Sequence, residues 1–368
     1  MSSSLKPVSS VEGIAPYQPG KPIEEVAREL SMEPQSIVKL ASNENPLGCS
    51  PLVDSVIADN ASELARYPDG GGFFLKERLS EHLGITPECL ILGNGSNDIL
   101  ELASIAFLDK GRSAVYSEFC FVVNKLATLS RGAKGIEAPS INFGHDLTAM
   151  RGAIEENTTV VFISNPNNPT GTFVSPEEVV AFLDQVPEHI LVVLDEAYYE
   201  YLPAEMQSQS VELISQYDNL LITRTFSKVY GLAALRVGYG ISNPRTVELM
   251  NRVRQPFNVN SLGLAAASRS LDDSAFVEAS VKLNEKGMKQ LIRLTDNLDL
   301  AYIPSFGNFL TIQFDEGGVE IYNQLLQSGV IVRPLVGYGM PNHLRISIGT
   351  AEENSRFCDV LTSIFAKN

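Results

Sequence analysis

Cysteine is scarce in this 368-residue chain: Cys49, Cys89, Cys120 and Cys358 lie far apart with no CxxC pair. That spacing supports neither a disulfide framework nor a zinc knuckle, and it suits reduced thiols in a cytosol. Histidine is as sparse, with His82, His145, His189 and His343 dispersed, so no metal site is expected. Positive charge is also in deficit. Lys and Arg number 28 against 44 Asp and Glu, a net charge of −16, which repels phosphate backbones and acidic membrane surfaces. Nucleic acid is therefore not an expected partner. No apolar run reaches the ~18 residues of a membrane span, and MSSSLKPVSS has no apolar core of a secretory signal. The expectation is a cytoplasmic protein with no membrane partner. There is no internal repeat and no low-complexity linker.

What the chain does have is apolar substance, 44% hydrophobic residues against 20% charged, enough for a large core with a smaller appendage. From about Leu90 short β-branched runs alternate with helix-like segments: LIL (90–92), SAVYSE (113–118), TTVVFIS (158–164), ILVVLDE (190–196), NLLITRT (219–225) and RVGYGIS (236–242). Such runs predict strands buried on both faces of a mainly parallel sheet, sandwiched by helices in an α/β layer architecture. Between them SPEEVVAFLDQV (175–186) reads as a helix, with Ser175 to cap it, Pro176 at its first position and Glu177 and Glu178 at its positive end. After Asn260 longer helical stretches precede FLTIQF (309–314), GVIVRPL (329–335) and HLRISIG (343–349), which predict a second, smaller αβ unit. PYQPGKP (16–22) marks a rigid arm. The expected division is 1–45 arm, contributing to the small unit and to dimer contacts, 46–270 large domain and 271–368 small domain.

In an open α/β sheet, ligands bind beyond the carboxyl ends of the strands. Four such positions are chemically unusual. GNGSNDIL (93–100) lets backbone approach an anion at a helix amino end, although it lacks the GxGxxG and GK[ST] spacings and also fits a plain tight turn. SNPNNPTG (164–171) packs three asparagines and two prolines into one turn. Asp195 ends the apolar run ILVVLD, where a carboxylate is costly unless a cation meets it. RTFSKVYGLAALRVGY (224–239) sets Lys228 and Arg236 eight residues apart among small and apolar neighbours. Taken singly, Asp195 also fits a salt bridge, and the two cations also fit side chains that bury their stems and send their charges to water.

Together these elements resemble the fold-type I pyridoxal-phosphate aminotransferases over nearly the whole chain. The resemblance implies pyridoxal 5'-phosphate as cofactor and gives Lys228 the Schiff base to its aldehyde. It implies Asp195 on the pyridinium nitrogen, and Asn168 and Tyr198 on the phenolic oxygen. Gly95, Ser96, Asn97, Thr225, Ser227 and Arg236 are implied around the phosphate. It further implies that the ring stacks on Phe119, where many relatives carry Tyr, and that Tyr67 in RYPDGG reaches the phosphate of a neighbouring subunit's cofactor in a homodimer. Lys228, Asp195 and Tyr198 are the implied catalytic residues.

Within the family, APYQPGKPIEEVARE (15–29), KLASNENPLG (39–48), GVIVRPLVGYGMPNHLRISIGT (329–350) and AEEN (351–354) resemble the histidinol-phosphate aminotransferases of histidine biosynthesis. That implies exchange of an amino group between L-histidinol phosphate and 2-oxoglutarate, giving imidazole acetol phosphate and L-glutamate. Tyr17, Asn43, Arg333 and Arg345 are the implied substrate-binding residues. Guanidinium forks suit both phosphate and carboxylate. An aromatic amino-acid aminotransferase or a threonine-phosphate decarboxylase would share the cofactor site and differ in the substrate pocket.

Overall fold

The computed structural model describes residues 5–16, 20–207, 209–315 and 317–366. Its strands in chain order are β1 (Val38–Lys39), β2 (Leu90–Gly93), β3 (Ser113–Ser117), β4 (Lys134–Ala138), β5 (Ser140–Ile141), β6 (Gly144–His145), β7 (Thr158–Ser164), β8 (Leu191–Asp195), β9 (Leu220–Thr225), β10 (Gly238–Ser242), β11 (Tyr302–Ile303), β12 (Phe309–Gln313), β13 (Val330–Ile331), β14 (Arg333–Pro334) and β15 (His343–Ser347). Seven of them form one sheet in the order β2-β10-β9-β8-β7-β3-β4. Only β10 runs against its neighbours β2 and β9; the pairs among β3, β4, β7, β8 and β9 are parallel. The α/β expectation holds.

Both faces of this sheet are apolar, as the unbroken runs required. Val161, Ile163, Val192, Leu194 and Ile222 enter one core, and Val160, Phe162, Val193 and Leu221 enter the other. The period of two divides each run between two helical layers. Helix Pro176–Leu183 begins with the expected cap, a reciprocal box between Ser175 and Glu178. Sequence reading missed β4, KGIEA, because it is a half-exposed edge strand without an apolar run. It also began one strand too early. Arg236 has φ of 56° and lies outside β10, which starts at Gly238.

A second sheet, β11-β12-β15-β14, carries its own core of Leu310, Ile312, Leu344, Ile346 and Phe357. The run 329–335 divides between two pairings: β13 joins β1 of the arm in parallel, while β14 joins β15. β5 and β6 form a small hairpin. Among the described residues no helix is long and apolar enough to cross a membrane.

Gly238 shows how tightly β10 passes the turn after β2. A Cβ there would lie 2.3 Å from the Ser96 amide nitrogen and 2.5 Å from the Gly95 carbonyl carbon. Gly238→Ala is therefore expected to push that turn aside at a cost of roughly 1–3 kcal/mol, read as a lower Tm in thermal unfolding; an unchanged Tm would show that the turn yields without strain.

Candidate active site

The carboxyl ends of β2, β3, β7, β8 and β9 converge on a cavity of about 380 Å³. Its walls include Asn43, Ser96, Asn97, Asn168, Asp195, Tyr198, Thr225, Ser227, Lys228, Arg236, Arg333 and Arg345. These are the sequence-expected residues, brought together from both sheets and the arm. Gly95 immediately precedes Ser96 as the N-cap of its helix, and two of the remaining three fall elsewhere. Phe119 packs on Phe143, ring centroids 5.7 Å apart, and of the two phenylalanines in SEFCF it is Phe121 that lines the cavity. SEFCF offers two aromatics, and only the entry into helix Val122–Ser130, where Phe121 stands at the N-cap, decides which one faces the cavity. Tyr67 is 83% exposed, stacked on Phe257 at 4.8 Å, and does not line the cavity of its own chain. Tyr17 lies outside the described residues.

Asp195 closes β8 and is buried, with Oδ1 accepting a 2.7 Å hydrogen bond from the Thr223 hydroxyl on β9. Burial pushes its pKa up to about 6, while the Thr223 hydroxyl and the Ala197 amide pull the other way. Sequence reading did not single out Thr223, whose only signal is a hydroxyl in an otherwise apolar strand. Lys228 follows β9 and donates at 3.3 Å to the carbonyl oxygens of Ser42 and Asn43. Burial lowers its pKa to about 8, with Arg345 and Arg236 adding to the fall and Glu44 and Asp195 opposing it. Neutral amine is thus accessible near physiological pH.

Tyr198 accepts a 2.9 Å hydrogen bond from Asn43 Nδ2, and burial raises its pKa to about 12. Asn43 has φ of 54°, and its Oδ1 accepts from Ser347 Oγ at 2.9 Å, so one residue of the arm joins Tyr198 to the small sheet. Arg345, on β15, donates to Asn168 Oδ1 and, at 2.7 Å, to the Ala41 carbonyl. Arg333 stands directly opposite it in the β14–β15 register.

At the other end of the cavity Gly95, with φ of 84°, precedes helix Ser96–Phe107. A Cβ on Gly95 would meet Arg236 Nη2 at 2.3 Å, so only glycine lets the helix amino end and the guanidinium share one small space. Arg236 also donates to Ser227 Oγ at 3.3 Å. These residues fit pyridoxal phosphate. A phosphate suits the cradle of Gly95, Ser96, Asn97, Ser227 and Arg236, an aldehyde suits Lys228, and a protonated ring nitrogen suits a carboxylate whose burial otherwise resists ionisation. Among the described residues no cluster of His, Cys, Asp or Glu could hold a metal.

The same burial makes Asp195 a liability in the cofactor-free chain. Its folded pKa of about 6 exceeds the ordinary 3.8, so the protonated carboxyl is tolerated below that ordinary value and stability is lost as pH rises through about 6. Asp195→Asn is expected to stabilise the cofactor-free protein at pH 8 by about 1–3 kcal/mol, with no gain at pH 3.5, while turnover falls roughly 10²-fold or more. Denaturant unfolding at the two pH values and single-turnover kinetics check both halves; a destabilised Asn variant with normal turnover would make Asp195 purely structural.

Comparison with known proteins agrees with this geometry. The sequence model of the family described as "Aminotransferase class I and II" matches residues 35–361. A histidinol-phosphate aminotransferase of Pseudomonas fluorescens is 53% identical over 357 residues, 97% of this chain and 96% of that protein. One of Methylobacillus flagellatus is 53% identical over 356 residues, again 97% and 96%. Among solved structures, the histidinol-phosphate aminotransferase of Sinorhizobium meliloti in complex with pyridoxal-5'-phosphate superposes with a TM-score of 0.90 at 25% identity, covering 100% of this chain and 99% of that one. The L-threonine-O-3-phosphate decarboxylase of Porphyromonas gingivalis shares the fold with a TM-score of 0.79 at 19% identity, covering 90% and 100%. With its cavity built from the carboxyl ends of the large sheet and a family match across nearly its whole length, this chain belongs to the class I and II aminotransferases.

Proposed function

We propose that this protein is a pyridoxal-phosphate-dependent enzyme of histidine biosynthesis that transfers the amino group of L-histidinol phosphate to 2-oxoglutarate, yielding imidazole acetol phosphate and L-glutamate. The observation that carries this reading is the direct opposition of Arg333 and Arg345 on strands lining the same cavity as Lys228 and Asp195. Two guanidinium groups in cross-strand register repel one another, and a dianion between them offsets that cost. Phosphate and dicarboxylate both meet the requirement.

Bound pyridoxal phosphate supplies an aldehyde that receives the amino group and a ring that takes up the electrons left when the Cα proton departs. With the cofactor bound, Lys228 would hold its aldehyde, and the same Nζ would move the substrate's Cα proton to the carbon that carried that aldehyde. Asp195, held by Thr223, keeps the ring nitrogen protonated. Asn168 and Tyr198 bind the phenolic oxygen; Gly95, Ser96, Asn97, Thr225, Ser227 and Arg236 bind the phosphate. Phe121 takes the stacking role expected of Phe119. Asn43 orients Tyr198 beside the substrate, with Tyr17 as a further substrate contact.

The active form is a cytoplasmic homodimer with shared sites, in which the exposed Tyr67 serves the neighbouring subunit's cofactor. The arm is 1–45, the large domain 46–270 and the small unit 271–368; the pairing of β1 with β13 supports the joining of the arm to the small unit.

The direct test adds amino donors to the purified enzyme and follows the cofactor's absorbance on amination. Histidinol phosphate should react readily, and Lys228→Ala should abolish turnover with the fold intact. A poor response to histidinol phosphate beside a good one to phenylalanine would sink the substrate assignment. Arg345→Ala is expected to weaken both half-reactions by roughly 2–5 kcal/mol in kcat/KM; loss confined to one would separate the two anion sites. Mixing Lys228→Ala and Tyr67→Phe chains should create heterodimers with one site carrying both defects and one carrying neither, so verified heterodimers without recovered activity would rule out donation across the interface.

A further inference from the structure

Lys39 lines the active-site cavity, yet neither the cofactor cradle nor the arginine pair accounts for it. It lies on β1, which pairs in parallel with β13 so that Lys39 stands opposite Ile331, two residues before Arg333. The strand alternation is clear here. Leu40, 2% exposed, enters the core of the small sheet, while Lys39 and Ala41 take the opposite face, where Ala41 packs with Ile331 and Val26, both Lys39 and Ala41 border the cavity, and the Ala41 carbonyl accepts from Arg345 Nη2 at 2.7 Å. One strand thus places Lys39 on the same wall as both arginines. Its Nζ is 2.9 Å from Glu44 Oε1, with side-chain exposures of 22% and 48%.

We propose that Lys39 is a further substrate-binding residue, completing the anion pocket with Arg333 and Arg345 and exchanging its ion pair with Glu44 for the phosphate or distal carboxylate of the incoming substrate. This rests on the substrate reading given above. The exchange is favourable on magnitudes. An ion pair with one partner well exposed to water contributes about 0–1 kcal/mol, whereas charge-assisted hydrogen bonds to an anion in a partly enclosed cavity are shorter and stronger. Glu44 also has a second effect. Its charge is felt at Lys228, so a Glu44 left unpaired near that amine repels the anionic substrates that Lys39 attracts. Lys39 selects for a distal anion by attraction, and Glu44 holds the ammonium in place until that anion arrives.

A purely structural pair, pinning the arm to the small sheet, predicts different kinetics. The test uses the cofactor-loaded enzyme and the variants Lys39→Met, Lys39→Arg and Glu44→Gln, with KM and kcat measured for histidinol phosphate and for 2-oxoglutarate over a range of ionic strength. Competitive inhibition by inorganic phosphate is measured alongside. Lys39→Met should raise both KM values about 10- to 100-fold, flatten their salt dependence and weaken phosphate inhibition, with kcat changed by about twofold at most. Lys39→Arg should restore most of the loss. Glu44→Gln should lower KM, because the internal competitor is gone. An unchanged KM for 2-oxoglutarate in Lys39→Met, or a rise in KM for Glu44→Gln matching that of Lys39→Met, overturns the proposal. Should Lys39→Met fail to fold, the Glu44→Gln result decides alone, a lower KM supporting the exchange and a higher one refuting it. A wild type that ignores histidinol phosphate but consumes 2-oxoglutarate would refute the substrate reading, and Lys39 would still be judged on 2-oxoglutarate and inorganic phosphate.

Discussion

Lys228 carries an amine into a place where bulk water cannot solvate it, and much of the surrounding architecture serves to make that position tenable and useful. Burial and two nearby guanidinium groups push the amine toward neutrality, while Asp195 and Glu44 pull it back toward charge. The carbonyl groups of Ser42 and Asn43 accept its protons. A buried amine poised in this way is reactive because its environment disfavours the ammonium. Asp195 is poised in the opposite sense, a carboxylate that burial would protonate and that Thr223 and backbone amides hold toward ionisation.

Holding several charged groups this close requires backbone that can approach backbone. At Gly95 and Gly238 the turn after β2, the start of β10 and the Arg236 guanidinium occupy space that any Cβ would fill. The reversal of β10 is part of the same solution. Running against β9, it begins at the edge where the parallel strands end, so Arg236 enters the cavity from a strand start while Thr225 and Lys228 enter from a strand end. Its left-handed backbone, φ of 56°, turns the chain into that position.

The small sheet and the arm contribute one wall of the cavity by strand alternation. On β15, Leu344 and Ile346 build a core, and Arg345 and Ser347 face the large sheet, where Ser347 meets Asn43 and Asn43 meets Tyr198. The small sheet and the large one are therefore linked through one arm residue.

Much of this was legible in the linear chain. Apolar runs buried on both faces specify a mainly parallel sheet, and polar residues such as Asp195, Asn168 and Lys228 directly after such runs must lie at its carboxyl edge, because strand direction leaves them nowhere else to go. The runs could not reveal β4, whose edge position removes the apolar signal, or the division of 329–335 between two sheets. Nor could they choose between Phe119 and Phe121, since the choice depends on how the chain turns into the following helix. Thr223 and Lys39 were invisible for a related reason: a hydroxyl in a strand and a lysine near a turn acquire their roles only from what is packed opposite them. Local periodicity and residue chemistry determined by themselves the layers and the edge that carries the site, while the roles of Lys228 and Asp195 came only with the resemblance to a family. Register between strands, β1 with the sequence-distant β13 and β14 with its near neighbour β15, decided which cations share the cavity, because pairing is set by the packing of whole faces and the alternation within one segment does not name its partner.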